Sequence, residues 1–191
     1  ASQRPAPTDL NTVESLQLID SLAAAGVKIL IFSGGEPLLR DDLFSLLQYA
    51  HMAGIAPHLS TNGTLIDSEV AHSLAGSGVR YVGISIDGPR AFNDSYRGLE
   101  GGYDAALEGL RCAKEAGLKT GLRMTLIRRN LTHLAEMHAV ACSVGADRFY
   151  VSHLLYSGRG KALAEEDLSR GQVRDVLYQL FALAEEGLDA G

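Results

Sequence analysis

Two hydrophobic patterns alternate along most of the chain. Apolar residues at helical spacing, as at Val13, Leu16 and Ile19, predict amphipathic helices that end near glycines. Short runs rich in β-branched residues lie between them and predict strands. The pattern predicts six helices, whose apolar stripes begin at Val13, Leu43, Val70, Tyr103, Leu131 and Val173, the second of them capped by Asp41 and the third beginning at Asp67. It predicts five strands, at 27–32, 55–60, 79–86, 118–127 and 147–155.

The alternation of helices and strands predicts an α/β fold. Strict alternation favours parallel strands joined by right-handed crossovers. The sheet is then either open and doubly wound or curved into a barrel. A complete eight-fold barrel takes about 250 residues, whereas this chain has 191 residues and begins on a helix. We therefore expect a partial (β/α)6 barrel of the TIM type, with outer helices and its first strand missing.

Polar segments follow all five predicted strands. They are Ser33–Pro37, Ser60–Gly63, Ser85–Pro89, Arg128–Asn130 and Tyr156–Lys161. The helix-to-strand connections on the opposite side, such as "MAGI" and "EAGL", carry little chemistry. Because ligands gather at the carboxyl ends of parallel strands, this asymmetry predicts a binding site on that side of the sheet.

The segment "SGGEP" after the first strand favours a cationic ligand group. Gly34 and Gly35 allow a close approach to the main chain. The segment lacks the spacing and the lysine of a phosphate-binding loop, and the carboxylate of Glu36 would repel a phosphate. Main-chain carbonyls beside a carboxylate suit an ammonium group. On their own, this segment, "TNG" and "DGP" are also ordinary turn sequences.

Composition and charge exclude several classes of protein. The net charge is −6 and no cluster of Lys and Arg is present, which argues against binding to nucleic acid. No apolar run approaches the roughly 20 residues of a membrane span, and no signal peptide is visible, so we expect a cytoplasmic protein without a membrane partner. The two cysteines, Cys112 and Cys142, cannot form a disulfide framework, and both are expected to be buried.

The ordered set "FSGGEPLLR", "STNGTLI", "VGISIDGP" and "YRGLEGGYDAALEGL" resembles the radical S-adenosylmethionine (SAM) superfamily. The resemblance covers essentially the whole chain. The segments "RFYVSHLLYSGRGK" and "VRDVLYQLFALAEEGL" are similar to the branch that acts in haem d1 biosynthesis, although haem-forming and peptide-modifying branches share much of them. The resemblance implies that residues 1–191 are a radical SAM core domain that is incomplete at its N-terminus and lacks a C-terminal domain with auxiliary clusters.

The resemblance also implies which residues hold SAM. The backbone of Ser33–Glu36 would bind the methionine ammonium, and Pro37 would fix the exit of that loop. The other candidates come from later loops and strands. Thr61 and Asn62 would contact ribose or methionine, and Ser85 and Arg97 would hold the carboxylate, with Asp87 in the same Ser-x-Asp-Gly loop as Ser85. Arg123 is a second anion partner or a satisfied barrel residue, and Leu126 lies against the adenine or in the core.

The cluster that works with SAM has no ligands in this sequence. Radical SAM enzymes bind a [4Fe–4S] cluster through a Cys-x3-Cys-x2-Cys loop, because thiolates are its ligands. The chain has only two cysteines, 30 positions apart, so we expect no cluster on these 191 residues. A truncated or partial chain would explain this absence, and a natural cysteine-free homologue is the alternative.

For the intact protein, the resemblance implies radical chemistry on a tetrapyrrole. A reduced ferredoxin or flavodoxin would supply one electron, which would cleave SAM to a 5′-deoxyadenosyl radical. That radical would act on propionate side chains of a sirohaem-derived substrate. His153 and Tyr156 are the catalytic candidates, although His153 also fits a structural role in the barrel. Arg159 and Lys161 are candidates for pairing with propionates, or are solvated. The alternatives are a haem-forming decarboxylase, a peptide maturase, or a non-catalytic SAM-binding module.

Overall fold

Five parallel strands form one sheet in the structure, a computed structural model that describes residues 9–156 and 158–189, the side chains at 158–159 and 186–189 excepted. The strands are β1 (Ile29–Phe32), β2 (Ala56–Thr61), β3 (Tyr81–Ser85), β4 (Lys119–Thr125) and β5 (Arg148–Ser152). They lie in the order of the sequence, and every neighbouring pair is parallel. The prediction of five parallel strands with intervening helices is confirmed.

Seven α-helices occur among the described residues, whereas the sequence pattern predicted six. They are α1 (Thr12–Ala24), α2 (Leu43–Met52), α3 (Ser68–Gly76), α4 (Arg90–Arg97), α5 (Gly102–Glu115), α6 (Leu134–Ser143) and α7 (Arg170–Asp189). Three 3-10 segments are added at Pro37–Leu39, Arg128–His133 and Gly158–Glu166. The helix that was missed is α4, a segment of eight residues whose buried residue is Asn93, although Phe92 and Tyr96 lie four positions apart on it.

The helix caps follow the prediction at one helix and depart from it at another. Asp67 caps α3, and its carboxylate accepts from the Val70 amide at 2.8 Å, as expected for an N-cap aspartate. The prediction that Asp41 caps α2 is wrong. The residue at that cap is Asp42, which makes no cap hydrogen bond because its carboxylate pairs with Arg40 at 2.5 Å.

The sheet buries one face and leaves the other open. Val82, Ile84, Leu122 and Met124 are fully buried in a core shared with helix residues. Alternate positions of the same strands point the other way because side chains alternate across a strand. These positions form what we call the open face, and they include His58, Ser60, Tyr81, Gly83, Ser85, Gly121, Arg123 and Tyr150.

Two glycines shape the middle of the open face. A Cβ atom on Gly83 would lie 2.5 Å from Cδ of Arg123, and one on Gly121 would overlap the hydroxyl of Tyr81. The absence of both side chains lets Arg123 and Tyr81 lie across the sheet. A long cationic side chain and an aromatic ring therefore cover the strands below the loops.

The two cysteines differ in environment. Cys112 on α5 is buried, and burial is the largest cause of the raised pKa of its thiol. Cys142 on α6 is exposed, so the prediction that both cysteines are buried is wrong for this residue. Among the described helices, none is long and apolar enough to cross a lipid bilayer.

Candidate functional site

A cavity of about 1750 Å³ lies at the carboxyl ends of the strands. Its polar lining comes from the loops after β1, β2 and β3 and from the ends of β4 and β5. The polar or glycine residues at these strand ends include Ser33, Gly34, Gly35, Ser60, Thr61, Asn62, Ser85, Asp87, Arg123, Thr125 and Ser152. Parallel strands bring these distant segments together, as the sequence pattern predicts.

The loop after β1 offers its main chain to the cavity. Gly34 has φ 149°, a conformation that residues with a side chain rarely adopt, and no atom lies within 4 Å of where its Cβ would be. Ser33 and Gly35 line the cavity on either side of it. A ligand group can therefore approach the backbone of this loop closely.

Glu36 does not line the cavity, because its carboxylate is used within the protein. Its side chain is buried, one oxygen accepts from the Thr61 hydroxyl at 2.6 Å, and the other accepts from the Asn62 amide at 2.8 Å. The first oxygen also accepts from the Leu38 amide at 3.2 Å. Glu36 thus joins the loops after β1 and β2 and holds the Gly34 backbone in place.

Thr61 and Asn62 line the cavity and also shape their own loop. The Thr61 hydroxyl accepts from the Gly63 amide at 3.0 Å. The Asn62 side-chain oxygen accepts from both the amide and the hydroxyl of Thr64, at 2.8 and 2.7 Å, in the manner of an Asx turn. Both side chains are thus fixed before any ligand binds.

Asp87 is the centre of a buried network that ties α4 to the sheet. One carboxylate oxygen accepts from the Thr125 amide at 2.8 Å, and the other pairs with Arg97 at 2.5 Å. The Asp87 amide donates to Asn93, and its carbonyl accepts from Asn130. Sequence analysis named the segment Arg128–Asn130 but selected neither Asn93 nor Asn130 as a site residue, since a buried asparagine gives no periodic signal.

Arg97 lines the cavity but is already paired with Asp87. Its Nε atom is buried and has no hydrogen-bond partner among the described residues. A buried donor without a partner is costly, and such atoms frequently mark a missing ligand or water. The pairing with Asp87 nevertheless neutralises most of the charge that a ligand carboxylate would require.

Arg123 is placed differently from Arg97. It is the register neighbour of Ser85, and both residues line the cavity. Its guanidinium donates to the Ser60 hydroxyl at 2.5 Å and lies 5.1 Å from the centre of the Tyr150 ring. No ion pair among the described residues includes Arg123. A cation without an acidic partner, beside a serine, suits a carboxylate ligand.

The candidates after β4 and β5 are divided between core, cavity and surface. Leu126 lies in the apolar core and does not line the cavity, which agrees with the second of its two predicted roles. His153 is exposed and lines the cavity. Lys161 is exposed and outside the lining, and the side chain of Arg159 lies outside the described residues.

Tyr156 lies away from the cavity lining. Its hydroxyl donates to the Asp167 carboxylate, and this bond is the main cause of the raised pKa of Tyr156 and of the lowered pKa of Asp167. A tyrosine held in this way keeps its proton more firmly. The sequence expectation placed it against the substrate, and the structure gives it a partner in the segment before α7 instead.

Apolar side chains line another part of the cavity, beside polar residues such as Ser95 and Arg129, and sequence analysis did not select them. Phe92 and Tyr96 on α4 are stacked, with ring centres 5.6 Å apart and planes at 20°. Leu154, Leu155 and Leu163 contribute from the segment after β5. The signal for the aromatic pair was its helical spacing of four residues, which is informative only once α4 is known to exist.

The described residues contain no group of three or more His, Cys, Asp or Glu side chains that could hold a metal ion. The full sequence has two cysteines, one on α5 and one on α6. The residues of this chain therefore do not fit an iron–sulfur cluster, which needs thiolate ligands.

Comparison with protein families matches residues 1–140 to the family described as the Radical SAM superfamily. The chain is 41% identical to the Fe-coproporphyrin III synthase of Methanosarcina barkeri, over 95% of this chain and 47% of that protein. It is also 41% identical to the pre-heme d1 synthase of Dinoroseobacter shibae, over 96% of this chain and 45% of that protein. The chain spans about half the length of these curated relatives.

Solved structures share the fold at low sequence identity. The chain superposes on native anSMEcpe with bound AdoMet with a TM-score of 0.76, at 20% identity, covering 98% of this chain and 55% of that one. For Streptococcus suis SuiB bound to the precursor peptide SuiA, the TM-score is 0.82 at 17% identity, and the superposition covers 97% of this chain and 42% of that one. These likenesses confirm the expected barrel-like α/β fold.

Proposed function

Because the chain belongs to the radical SAM superfamily, we propose that it is the SAM-binding core of an enzyme that modifies a tetrapyrrole in haem d1 biosynthesis. The observation that carries this proposal is the 41% identity to a pre-heme d1 synthase over 96% of the chain. The equal identity to an Fe-coproporphyrin III synthase supports the same substrate class. Propionate side chains of a sirohaem-derived tetrapyrrole are the proposed site of reaction.

The superfamily uses SAM with a [4Fe–4S] cluster, and together they supply a 5′-deoxyadenosyl radical that abstracts hydrogen from a substrate. The residues of this chain fit SAM but not the cluster. The open backbone at Gly34 suits an ammonium, and the unpaired cation of Arg123 suits a carboxylate. Arg97 also lines the cavity, and its buried Nε atom has no partner among the described residues.

In our assignment, each part of the methionine group has its own partner. Carbonyl oxygens of Ser33–Gly35 accept from the ammonium, and Ser85 with Arg123 donates to the carboxylate. Arg123 replaces Arg97 in this role, because Arg97 is paired with the buried Asp87. Thr61 and Asn62 remain the proposed contacts for ribose or methionine.

Several roles are proposed for the intact protein. His153, on the cavity lining, would face the tetrapyrrole, and a reduced ferredoxin or flavodoxin would deliver the electron in the cytoplasm. The residues 1–191 would form the core domain, with cluster ligands and auxiliary clusters supplied elsewhere. The protein's own part in the reaction is to position the substrate and to exclude water.

The proposal is tested on the intact protein after its cluster has been reconstituted anaerobically. Reductant and SAM are added with a sirohaem-derived tetrapyrrole, with Fe-coproporphyrin III, or with an unrelated peptide, and 5′-deoxyadenosine is measured together with the modified product. We expect turnover of a tetrapyrrole and loss of its propionate groups. Turnover of the peptide alone would contradict the proposed substrate class, and no turnover with SAM intact would favour a binding module.

A further inference from the structure

The stacked pair on α4 is held in place from two sides. Phe92 and Tyr96 lie with ring centres 5.6 Å apart, and Phe92 also contacts the His133 ring at 5.6 Å. A Cβ atom on Gly88 would lie 2.7 Å from the Phe92 ring, so the glycine makes room for the aromatic side chain. The Asp87–Arg97 ion pair fixes the end of the same helix. Phe92 and Tyr96 therefore form a rigid aromatic surface.

The aromatic pair belongs to the part of the cavity that is richest in apolar side chains, which we call its apolar half, although Ser95 and Arg97 of the same helix also line the cavity. Leu155 after β5 is 74% exposed and Leu99 after α4 is 45% exposed, and both line the cavity. The polar half comes from the strand ends, where SAM is proposed to bind. Large apolar side chains left open at a cavity commonly mark a binding surface.

The volume of the cavity leaves room for a second ligand beside SAM. Sites for one small molecule usually measure about 300–1,000 Å³, whereas this cavity measures about 1750 Å³. A polar ligand over the strand ends would leave the apolar half open. A second ligand that fits there must present a large apolar surface.

We infer that Phe92 and Tyr96 form a stacking surface for the plane of a tetrapyrrole macrocycle and help to select this substrate. The inference rests on the proposed function and names residues for its substrate. Aromatic rings prefer offset stacked or edge-to-face contacts, and a flat macrocycle satisfies the stacked arrangement over a wide area. An extended peptide has no comparable flat surface, so the aromatic pair favours the macrocycle over a peptide.

Binding of metal-free coproporphyrin III, a fluorescent tetrapyrrole, tests this role on the purified intact protein. The parent, Phe92→Leu and Tyr96→Leu are titrated with the porphyrin, and the dissociation constants are compared. We expect each leucine variant to bind about three- to tenfold more weakly, because an aromatic contact is replaced by an aliphatic one. Tyr96→Phe keeps the ring and should bind like the parent. Tyr178→Leu, an exposed tyrosine on α7 outside the cavity lining, is the matched control.

The outcomes separate the inference from the proposed function. If the parent binds the porphyrin and both leucine variants bind it equally well, the inference fails while the proposed function stands. If the parent does not bind the porphyrin at all, the proposed function is contradicted and the inference falls with it. Weakened binding of SAM with unchanged porphyrin binding would assign the rings to the adenine and overturn the inference. Thermal unfolding checks each variant, and Tyr96→Leu decides the result if Phe92→Leu does not fold.

Discussion

Three arginines line the cavity, and their partners decide which of them is available to a ligand carboxylate. Arg129 pairs with Glu166 at 2.9 Å. Arg97 pairs with the buried Asp87, whereas Arg123 contacts a serine and a tyrosine ring. A pairing interaction that already exists in the free protein must be broken or shared before the side chain can bind a ligand. Arg123 therefore contributes more to the binding free energy of a ligand carboxylate than Arg97 does.

We predict that Arg123→Gln weakens SAM binding about tenfold or more, the equivalent of the 1.5–3 kcal/mol of a charge-assisted hydrogen bond. Arg97→Gln should have a smaller effect on affinity, since its charge is shared with Asp87. NMR titration at millimolar SAM measures weak dissociation constants for both variants and the parent. A larger loss in Arg97→Gln than in Arg123→Gln would return the carboxylate to Arg97.

At the residue scale, sequence reasoning located the loops but not the direction of each side chain. Ser33 and Gly34 follow the end of β1 and Ser85 is the last residue of β3, so their place at the cavity was predictable from topology. Glu36 and Asp87 follow strand ends as well, yet their carboxylates bond groups 25–38 residues away. Local spacing carries no information about such distant partners.

At the element scale, α4 is a helix of eight residues that is joined to its neighbours by polar contacts. The Asp94 carboxylate accepts from the amides of Gly101 and Tyr103 at 2.8 Å, which joins α4 to the start of α5. Asp87 holds the other side through Asn93 and Arg97. A helix of eight residues is marginal on its own, since isolated helices shorter than about 12–15 residues are not stable in water, so the spacing of Phe92 and Tyr96 is a weak signal without these contacts.

Asp87→Ala should lower the free energy of unfolding by about 3 kcal/mol, because it leaves the Thr125 amide and Arg97 without their acceptor. Asp87→Asn should cost less, since an amide oxygen can still accept from Thr125. Urea denaturation measures both. Equal stabilities of the alanine variant and the parent would show that the network does not hold α4.

Alanine substitutions at two helical glycines are predicted to change the stability of the protein in opposite directions. A Cβ on Gly109 of α5 would overlap the Gly63 carbonyl oxygen, so Gly109→Ala should destabilise the protein by roughly 1–3 kcal/mol. Gly76 of α3 has no atom within 4 Å of its Cβ position. Gly76→Ala should therefore stabilise by about 0.5–1 kcal/mol through the unfolded state. Thermal unfolding measures both variants. If their unfolding temperatures shifted in the same direction, the proposed contact between α5 and the loop after β2 would be refuted.

At the scale of the whole molecule, the parallel sheet was predictable because helix and strand patterns alternate without interruption. The division of the cavity was not predictable. Its polar half follows from strand ends, whereas its apolar half depends on α4 and on the segment after β5, whose residues have no common sequence pattern. Topology places the loops, and side-chain packing then decides what the cavity can bind.

The stability of the fold should depend on pH through His58 on the open face. Burial, and then the nearby Arg148, lowers the pKa of His58 below its ordinary value of 6.5. The unfolded chain therefore binds this proton first, and the free energy of unfolding should fall as the pH decreases from about 6.5. His58→Gln should have a shallower slope between pH 7 and pH 5 in urea denaturation. An unchanged slope would show that His58 does not contribute.

We propose above all that the carboxyl ends of the strands bind SAM on this chain. A titration of the ¹⁵N-labelled chain with millimolar SAM, followed by NMR, tests this binding. We expect saturable shifts of the amides of Ser33–Gly35, Thr61, Asn62 and Ser85, and weaker binding in Arg123→Gln. Shifts confined to the helix-to-strand connections on the opposite side, or no saturable shift at all, would contradict it.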